Sequence, residues 1–434
     1  MGRKTGGVRL NVFFEEHHVG TLERSSAGAL SFTYSEQWLN YPDAFPVSHS
    51  LRLQEDSYHG NAAVAYFDNL LPDNDTIRKA LAGQTGAAST QSIDLLSALG
   101  RDCVGALQFY PASIEPEFKL SIEAIELREH DIAERLRHLA QTPLGVTRAE
   151  DFRISIAGAQ AKSALLSYQG KWHLPLHATP TSHIIKVPLG LLPNGIDLST
   201  SVENEYLCLK LCEHFGLPVA SSSIAQFEDV TCLVVERFDR HWLPGLDQLK
   251  RLPQEDMCQA LGVTPSHKYQ TDGGPGIARI MNFLDASDAR NADRKLFFKA
   301  QLVFFLLGAP DGHAKNFSIF IRPGGFGLTP LYDILSLAPA LRRRQVEHKH
   351  LRLAMCVGDK NHYRLDEIRF RHWEQTAKQA GFSTRFLEEL IVELLSEIQS
   401  AEKIIESLPE GFPKCLAEAS FDFMRRQAGR LRQG

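Results

Sequence analysis

The chain has 434 residues, which at roughly 150 per domain allows two or three domains. Hydrophobic residues make up 43% and charged residues 23%, the balance of an ordinary globular protein, with a formal net charge of −5. That charge excludes a whole-surface electrostatic footprint for nucleic acid and leaves only a local basic face open. The start, "MGRKTGGVRL", lacks the apolar core of a signal peptide, and the apolar run at 302–309 is far short of the roughly 20 residues of a membrane span. Seven scattered cysteines with no CxxC pair point to a reducing, cytoplasmic setting with no membrane.

Residues 8–53 alternate apolar and polar, which predicts short strands with turns at Gly20 and Gly28. Helical periodicity follows at 62–83 ("AAVAYFDNLLPDNDTIRKALAG") and 89–100, and "CVGALQFYP" at 103–111 reads as one more strand. Residues 1–115 are thus expected to form a small α+β module. Strand patterns return at 150–240 in "FRISI", "KSALLSY", "SHIIKVP", "SIAQF" and "TCLVVERFD", broken by the helix "VENEYLCLKLCEHFG" that Gly216 and Pro218 terminate. Residues 116–240 are therefore predicted as a sheet-rich lobe. From about 250 helical periodicity dominates, including 385–408, so 241–434 is predicted as a mostly helical lobe. The fold class is α+β, and a sheet lobe over a helical lobe commonly encloses a cleft.

The chemistry concentrates in "APDGHAKNFSIFI" at 309–321, behind the apolar run. Asp311 and Asn316 are five residues apart, the spacing of the base Asp and metal-binding Asn in a protein-kinase catalytic loop. Asp311 suits the role of proton acceptor for a substrate hydroxyl, and Asn316 offers a hard oxygen to Mg²⁺. One predicted hairpin downstream, Asp333 stands where a second metal-binding carboxylate belongs, although Ile334 and Leu335 replace the usual Phe-Gly. Lys186 closes a β-branched run and supplies a cation for phosphates; the following helix offers Glu203 or Glu205 as its ion-pair partner, with Glu205 favoured. The backbone of Glu236, Arg237 and Phe238 falls where the lobes would join, as an adenine-facing hinge does. The loop in "ISIAGAQAKSALL" has a single glycine, Gly158, and by spacing alone is a plain β-turn with Lys162 adding charge.

These stretches, with "RLPQEDMCQALG", "TDGGPGIARIM", "LTPLYDILS", "YFDNLLPDN" and "GRDCVGALQFYP", resemble the HipA family over nearly the whole chain. That family comprises serine/threonine-kinase toxins of bacterial type II toxin–antitoxin modules. The resemblance implies a bilobal protein-kinase-like fold that uses ATP and Mg²⁺. It also implies a HipB-like helix-turn-helix antitoxin, with operator DNA bound and its operon co-repressed through that complex. The implied substrate is an aminoacyl-tRNA synthetase, glutamyl-tRNA synthetase in the best-known case, whose phosphorylation starves translation and promotes dormancy.

Carried over by residue, the resemblance makes Asp311 the catalytic base, Asn316 and Asp333 the metal ligands, and Lys186 the phosphate-contacting lysine. It assigns the nucleotide loop to Ala157, Gly158, Ala159, Gln160, Ala161 and Lys162, and the hinge to Glu236, Arg237 and Phe238. His313, Ala314, Lys315, Asn316, Tyr332 and Asp333 also line the nucleotide pocket in the family pattern. Ser155 matches an autophosphorylated serine, and residues 190–198 the activation segment. A phosphate on Ser155 would add nearly two negative charges where the loop must cover those of ATP, and so silence the kinase.

Two departures stand out, Pro310 directly before Asp311 and Ala161 where an acidic residue is usual, and neither removes a reacting group. Cys208 and Cys212 with His214 read as core residues rather than a zinc site. The histidine clusters at 15–18 and 347–350 read as solvated turns, and Arg342, Arg343 and Arg344 as an exposed basic turn. The competing readings are a catalytically weak, antitoxin-bound co-repressor and a small-molecule kinase.

Overall fold

A computed structural model describes residues 7–118, 121–139 and 162–432. The N-terminal module is a five-stranded antiparallel sheet of β1 (Val8–Phe14), β2 (His17–Arg24), β3 (Leu30–Tyr34), β4 (Tyr58–His59) and β5 (Leu107–Pro111), in the order β4-β3-β2-β1-β5. Gly28 does sit in a turn, with φ of 88°, but Gly20 lies inside β2 rather than at its end. A Cβ on Gly20 would come within 2.4 Å of the Thr33 carbonyl oxygen, so the glycine is there to let β3 approach. The predicted helix at 62–83 is two helices, Asn61–Phe67 and Asp75–Thr85. Pro72 has no amide to continue the first, and the Asn74 side chain accepts from the amides of Thr76 and Ile77 to begin the second. The predicted strand at 103–111 pairs only from Leu107, because the Cys103 carbonyl and the Gly105 amide are bound to Arg237 and Asp239 instead.

The second sheet joins β6 (Ala124–Glu126), β7 (Lys162–Tyr168), β8 (Lys171–Pro175) and β9 (His183–Lys186) to two later strands. Between them the chain makes a short ribbon of β10 (Gly190–Leu191) and β11 (Asp197–Leu198), and then the helix Ser201–His214. The later strands are β12 (Ser222–Phe227) and β13 (Val230–Glu236), giving the antiparallel order β12-β13-β9-β7-β8-β6. This sheet and the N-terminal module share one hydrophobic core, in which Leu165, Ile185 and Val234 pack with Leu10, Phe67 and Phe109. The alternation that predicted these strands is the alternation that points those residues inward.

A ribbon of β14 (Arg240–Trp242) and β15 (Leu249–Arg251) leads into the helical lobe. There β16 (Gln254–Asp256), β17 (Ser318–Arg322) and β18 (Gly325–Leu328) form a small sheet. Its core is built on the helix Arg290–Leu307, whose Phe297, Phe298, Phe305 and Leu302 are fully buried against Trp373, Leu387 and Met424. Each such side chain contributes about 2 kcal/mol on leaving water. The predicted helix at 385–408 runs as α-helix to Ser400 and continues as a 3₁₀ turn over Ala401–Ser407. Among the described residues no helix is long and apolar enough to cross a membrane.

Candidate active site between the lobes

Several loops converge on a cleft of about 790 Å³ between the second sheet and the helical lobe. The loop that carries Asp311 begins where the helix Arg290–Leu307 ends at Gly308, which takes φ of 67°. Pro310 lies beyond that end and so removes no helical hydrogen bond. Gly312 is required by packing, since a Cβ there would stand 2.5 Å from the Phe304 ring. The Asn316 amide nitrogen donates to the Asp311 carbonyl at 2.6 Å, and the His313 amide to the same oxygen at 2.8 Å, folding the loop into a tight ring. The Tyr269 hydroxyl donates to the Asp311 carboxylate at 2.5 Å and aims it. His313 is buried, which lowers its pKa although Asp311 opposes the fall.

The hairpin of β17 and β18 then returns the chain to Tyr332 and Asp333. Asp333 holds φ of 58°, a left-handed conformation that costs an ordinary residue roughly 1–2 kcal/mol. Its carboxylate meets Lys186 at 2.7 Å, and the same ammonium meets Glu205 at 2.7 Å. Of the two glutamates offered by the sequence, Glu205 is therefore the partner. Lys186 and Lys162 are cross-strand neighbours of β9 and β7, so both ammonium groups face the cleft from one side of the sheet. Burial would lower the Lys186 pKa, but Asp333 and Glu205 hold it above its ordinary value. Burial likewise would raise Asp333, and Lys186 with Lys162 keeps it well below the usual carboxylate range.

Residues 236–238 close the cleft where the lobes meet. Phe238 and Tyr332 stand with ring centroids 5.6 Å apart, and Tyr332 donates to the Lys315 carbonyl at 2.8 Å. The Arg237 side chain turns away from the cleft into a buried network with Asp102, Asp239 and Thr181. Ala314 is fully buried beneath the loop. Ser155, Ala157, Gly158, Ala159, Gln160 and Ala161 lie outside the described residues. Sequence spacing missed Asp73 of the N-terminal module, which binds Lys315 at 2.7 Å and Lys268 at 2.9 Å at the cleft edge.

The plainer readings hold in part: His17 and His18 are half-buried at the start of β2 rather than in a solvated turn, whereas His348–His350 form an exposed 3₁₀ turn. Cys208 and Cys212 are buried in the core of the helical lobe. Arg342 pairs with Glu418 at 3.2 Å, and Arg343 donates to the Asp197 carbonyl at 2.7 Å.

Fold and cleft together define a bilobal, protein-kinase-like α+β protein. Residues 154–402 match the HipA-like C-terminal domain and residues 10–110 the HipA N-terminal domain. The chain belongs to the HipA family. It is 32% identical over 409 residues to the putative kinase Y4mE of Sinorhizobium fredii, with 92% of each chain covered. It is 29% identical over 366 residues to the serine/threonine-protein kinase toxin HipA of Shewanella oneidensis, covering 79% of this chain and 78% of that one. A solved chain from the Shewanella oneidensis complex of HipA, HipB and operator DNA has the same fold, with a TM-score of 0.79 and 22% identity. That match covers 97% of this chain and 96% of the other.

Proposed function

We propose that this chain transfers the γ-phosphoryl group of ATP to a serine or threonine of a protein, as a toxin restrained by a HipB-like antitoxin. The observation that supports the reading best is the convergence of Asp311, Asn316, Asp333 and Lys186 on one cleft. Asp311, aimed by Tyr269, accepts the proton of the attacking hydroxyl as its oxygen bonds to phosphorus and the bond to ADP breaks. Lys186 holds phosphate charge, locked in place by Glu205, and Lys162 adds a second ammonium from the same sheet face. The backbone of Glu236, Arg237 and Phe238 takes the adenine edge, with Phe238 and Tyr332 walling the base.

The donor chemistry fits Mg²⁺. The amide nitrogen of Asn316 is committed to the Asp311 carbonyl, which leaves its oxygen as the ligand atom, and Asp333 adds a carboxylate. Mg²⁺ needs only one or two such protein oxygens beside phosphate, and when bound it neutralises the charge that transfer develops. The kinase names of the two relatives support the reaction, and the HipA–HipB–DNA complex supports the antitoxin and operator co-repression. For the protein substrate we take the family resemblance: a translation protein, an aminoacyl-tRNA synthetase of the glutamyl type. Ser155 is proposed as the self-modified residue that silences the enzyme.

The test is peptide mass spectrometry after incubation with Mg-ATP, beside Asp311→Asn. Phosphate is expected on Ser155, at least about 100-fold slower in the variant. ATP binding with no phosphate anywhere would replace the reading with that of a co-repressor.

A further inference from the structure

Asp73 reaches the catalytic loop from a part of the chain that carries none of the proposed chemistry. It lies in the turn between the helices Asn61–Phe67 and Asp75–Thr85, and its side chain is only 14% exposed. One oxygen binds the Lys315 ammonium at 2.7 Å and the other the Lys268 ammonium at 2.9 Å. Lys315 is also held by the Asn69 carbonyl at 3.3 Å. The turn itself is braced: Arg78 donates to the Pro72 carbonyl at 2.6 Å and to Asp68 at 2.8 Å, and Asn69 donates to the Val263 carbonyl at 2.9 Å.

Each lysine held by Asp73 adjoins a residue that shapes the base. Lys315 precedes Asn316, whose amide folds the loop onto Asp311. Lys268 precedes Tyr269, whose hydroxyl aims the Asp311 carboxylate, and the Lys268 carbonyl accepts from the Ala314 amide at 3.3 Å. Two ammonium groups at the rim of a cleft that holds Asp311 would, if released, move to the nearest anion. That anion is the base itself or the phosphates of ATP, and either contact displaces the reacting groups.

We infer that Asp73 is a positioning residue for phosphoryl transfer, through which the N-terminal module completes the active site of the helical lobe. Its carboxylate fixes Lys315 and Lys268, and through them the two contacts that orient Asp311. This rests on the kinase reading above, and the experiment separates the two. In the full chain with Mg-ATP, Asp73→Asn is expected to slow self-phosphorylation about 10- to 100-fold in kcat. The KM for ATP and the thermal melt should stay close to wild type, and Asp73→Glu should recover part of the rate. Combining Asp73→Asn with Lys315→Met should cost little more than the worse single variant, as expected for groups acting as a unit. A wild-type kcat in Asp73→Asn overturns the inference, as does a loss explained by a lower melting temperature or a raised KM. A wild-type chain that binds ATP but transfers no phosphate overturns the kinase reading, and the inference with it.

Discussion

Lys162 and Lys186 face the cleft side by side, yet their charges are held differently. Lys186 has two carboxylate partners, whereas among the described residues no hydrogen bond from the Lys162 ammonium is found. Burial pulls the Lys162 pKa down to about 8, with Lys186 adding to the fall and Asp333 opposing it. Below pH 8 the group is charged and attracts phosphate; above it the free protein must take up a proton to do so. Mg-ATP affinity, measured by calorimetry from pH 6.5 to 9.5, should therefore weaken above pH 8, approaching about tenfold per unit. Lys162→Arg stays charged throughout and should flatten the profile. An arginine variant with the wild-type slope would assign the titration to another group.

At the scale of elements, the join between β13 and β14 is held by charge as well as by packing. Asp102 of the N-terminal module is buried and receives Arg240 at 2.7 Å, Arg251 at 3.2 Å and Arg237 at 3.3 Å, together with the amide and hydroxyl of Thr181. Asp102→Ala leaves three guanidinium groups short of a partner, so it should cost about 3–5 kcal/mol in denaturant unfolding. A loss under about 1 kcal/mol would mean that water replaces the carboxylate. The same network marks what the sequence could and could not tell. Contacts within a loop, across one hairpin, or from strand to next helix follow local periods, so Asp311, Asn316, Asp333 and the Lys186–Glu205 pair, 19 residues apart, could be read. Asp102 and Arg240 are 138 residues apart, and Asp73 and Lys315 are 242 apart. Those pairs depend on how whole layers dock, and no periodicity encodes that. The hinge reading shows the limit within a single stretch: it located the backbone of 236–238 but not that the Arg237 side chain leaves the cleft.

At the scale of the whole molecule, the N-terminal module grips the helical lobe directly. Ser48 and Ser50 donate to the Gln259 carbonyl at 3.2 and 2.7 Å, and Gln259 donates back to the Tyr66 carbonyl at 3.1 Å. Beside them, Glu255 is fully buried; one carboxylate oxygen accepts from the His49 amide at 2.8 Å, and among the described residues the other has no hydrogen-bond partner. Burial pushes its pKa up to about 8, and that of neighbouring Asp256 to about 6. Because the folded pKa lies above the unfolded one, the folded chain keeps a proton that the unfolded chain releases. The associated stability is complete below about pH 4.5 and is lost as pH rises through 8. Urea unfolding should therefore show the wild type weakening from pH 5 to 8.5. Glu255→Gln, neutral at every pH and able to keep the His49 contact, should be more stable than wild type at pH 8.5 by on the order of 3 kcal/mol, and nearly equal at pH 5. Asp256 titrates in the same direction at lower pH, so the variant should keep a shallower slope between pH 4 and 6. Equal separation of the two proteins at both pH values would mean that Glu255 is already ionised in the folded chain, with water reaching the junction.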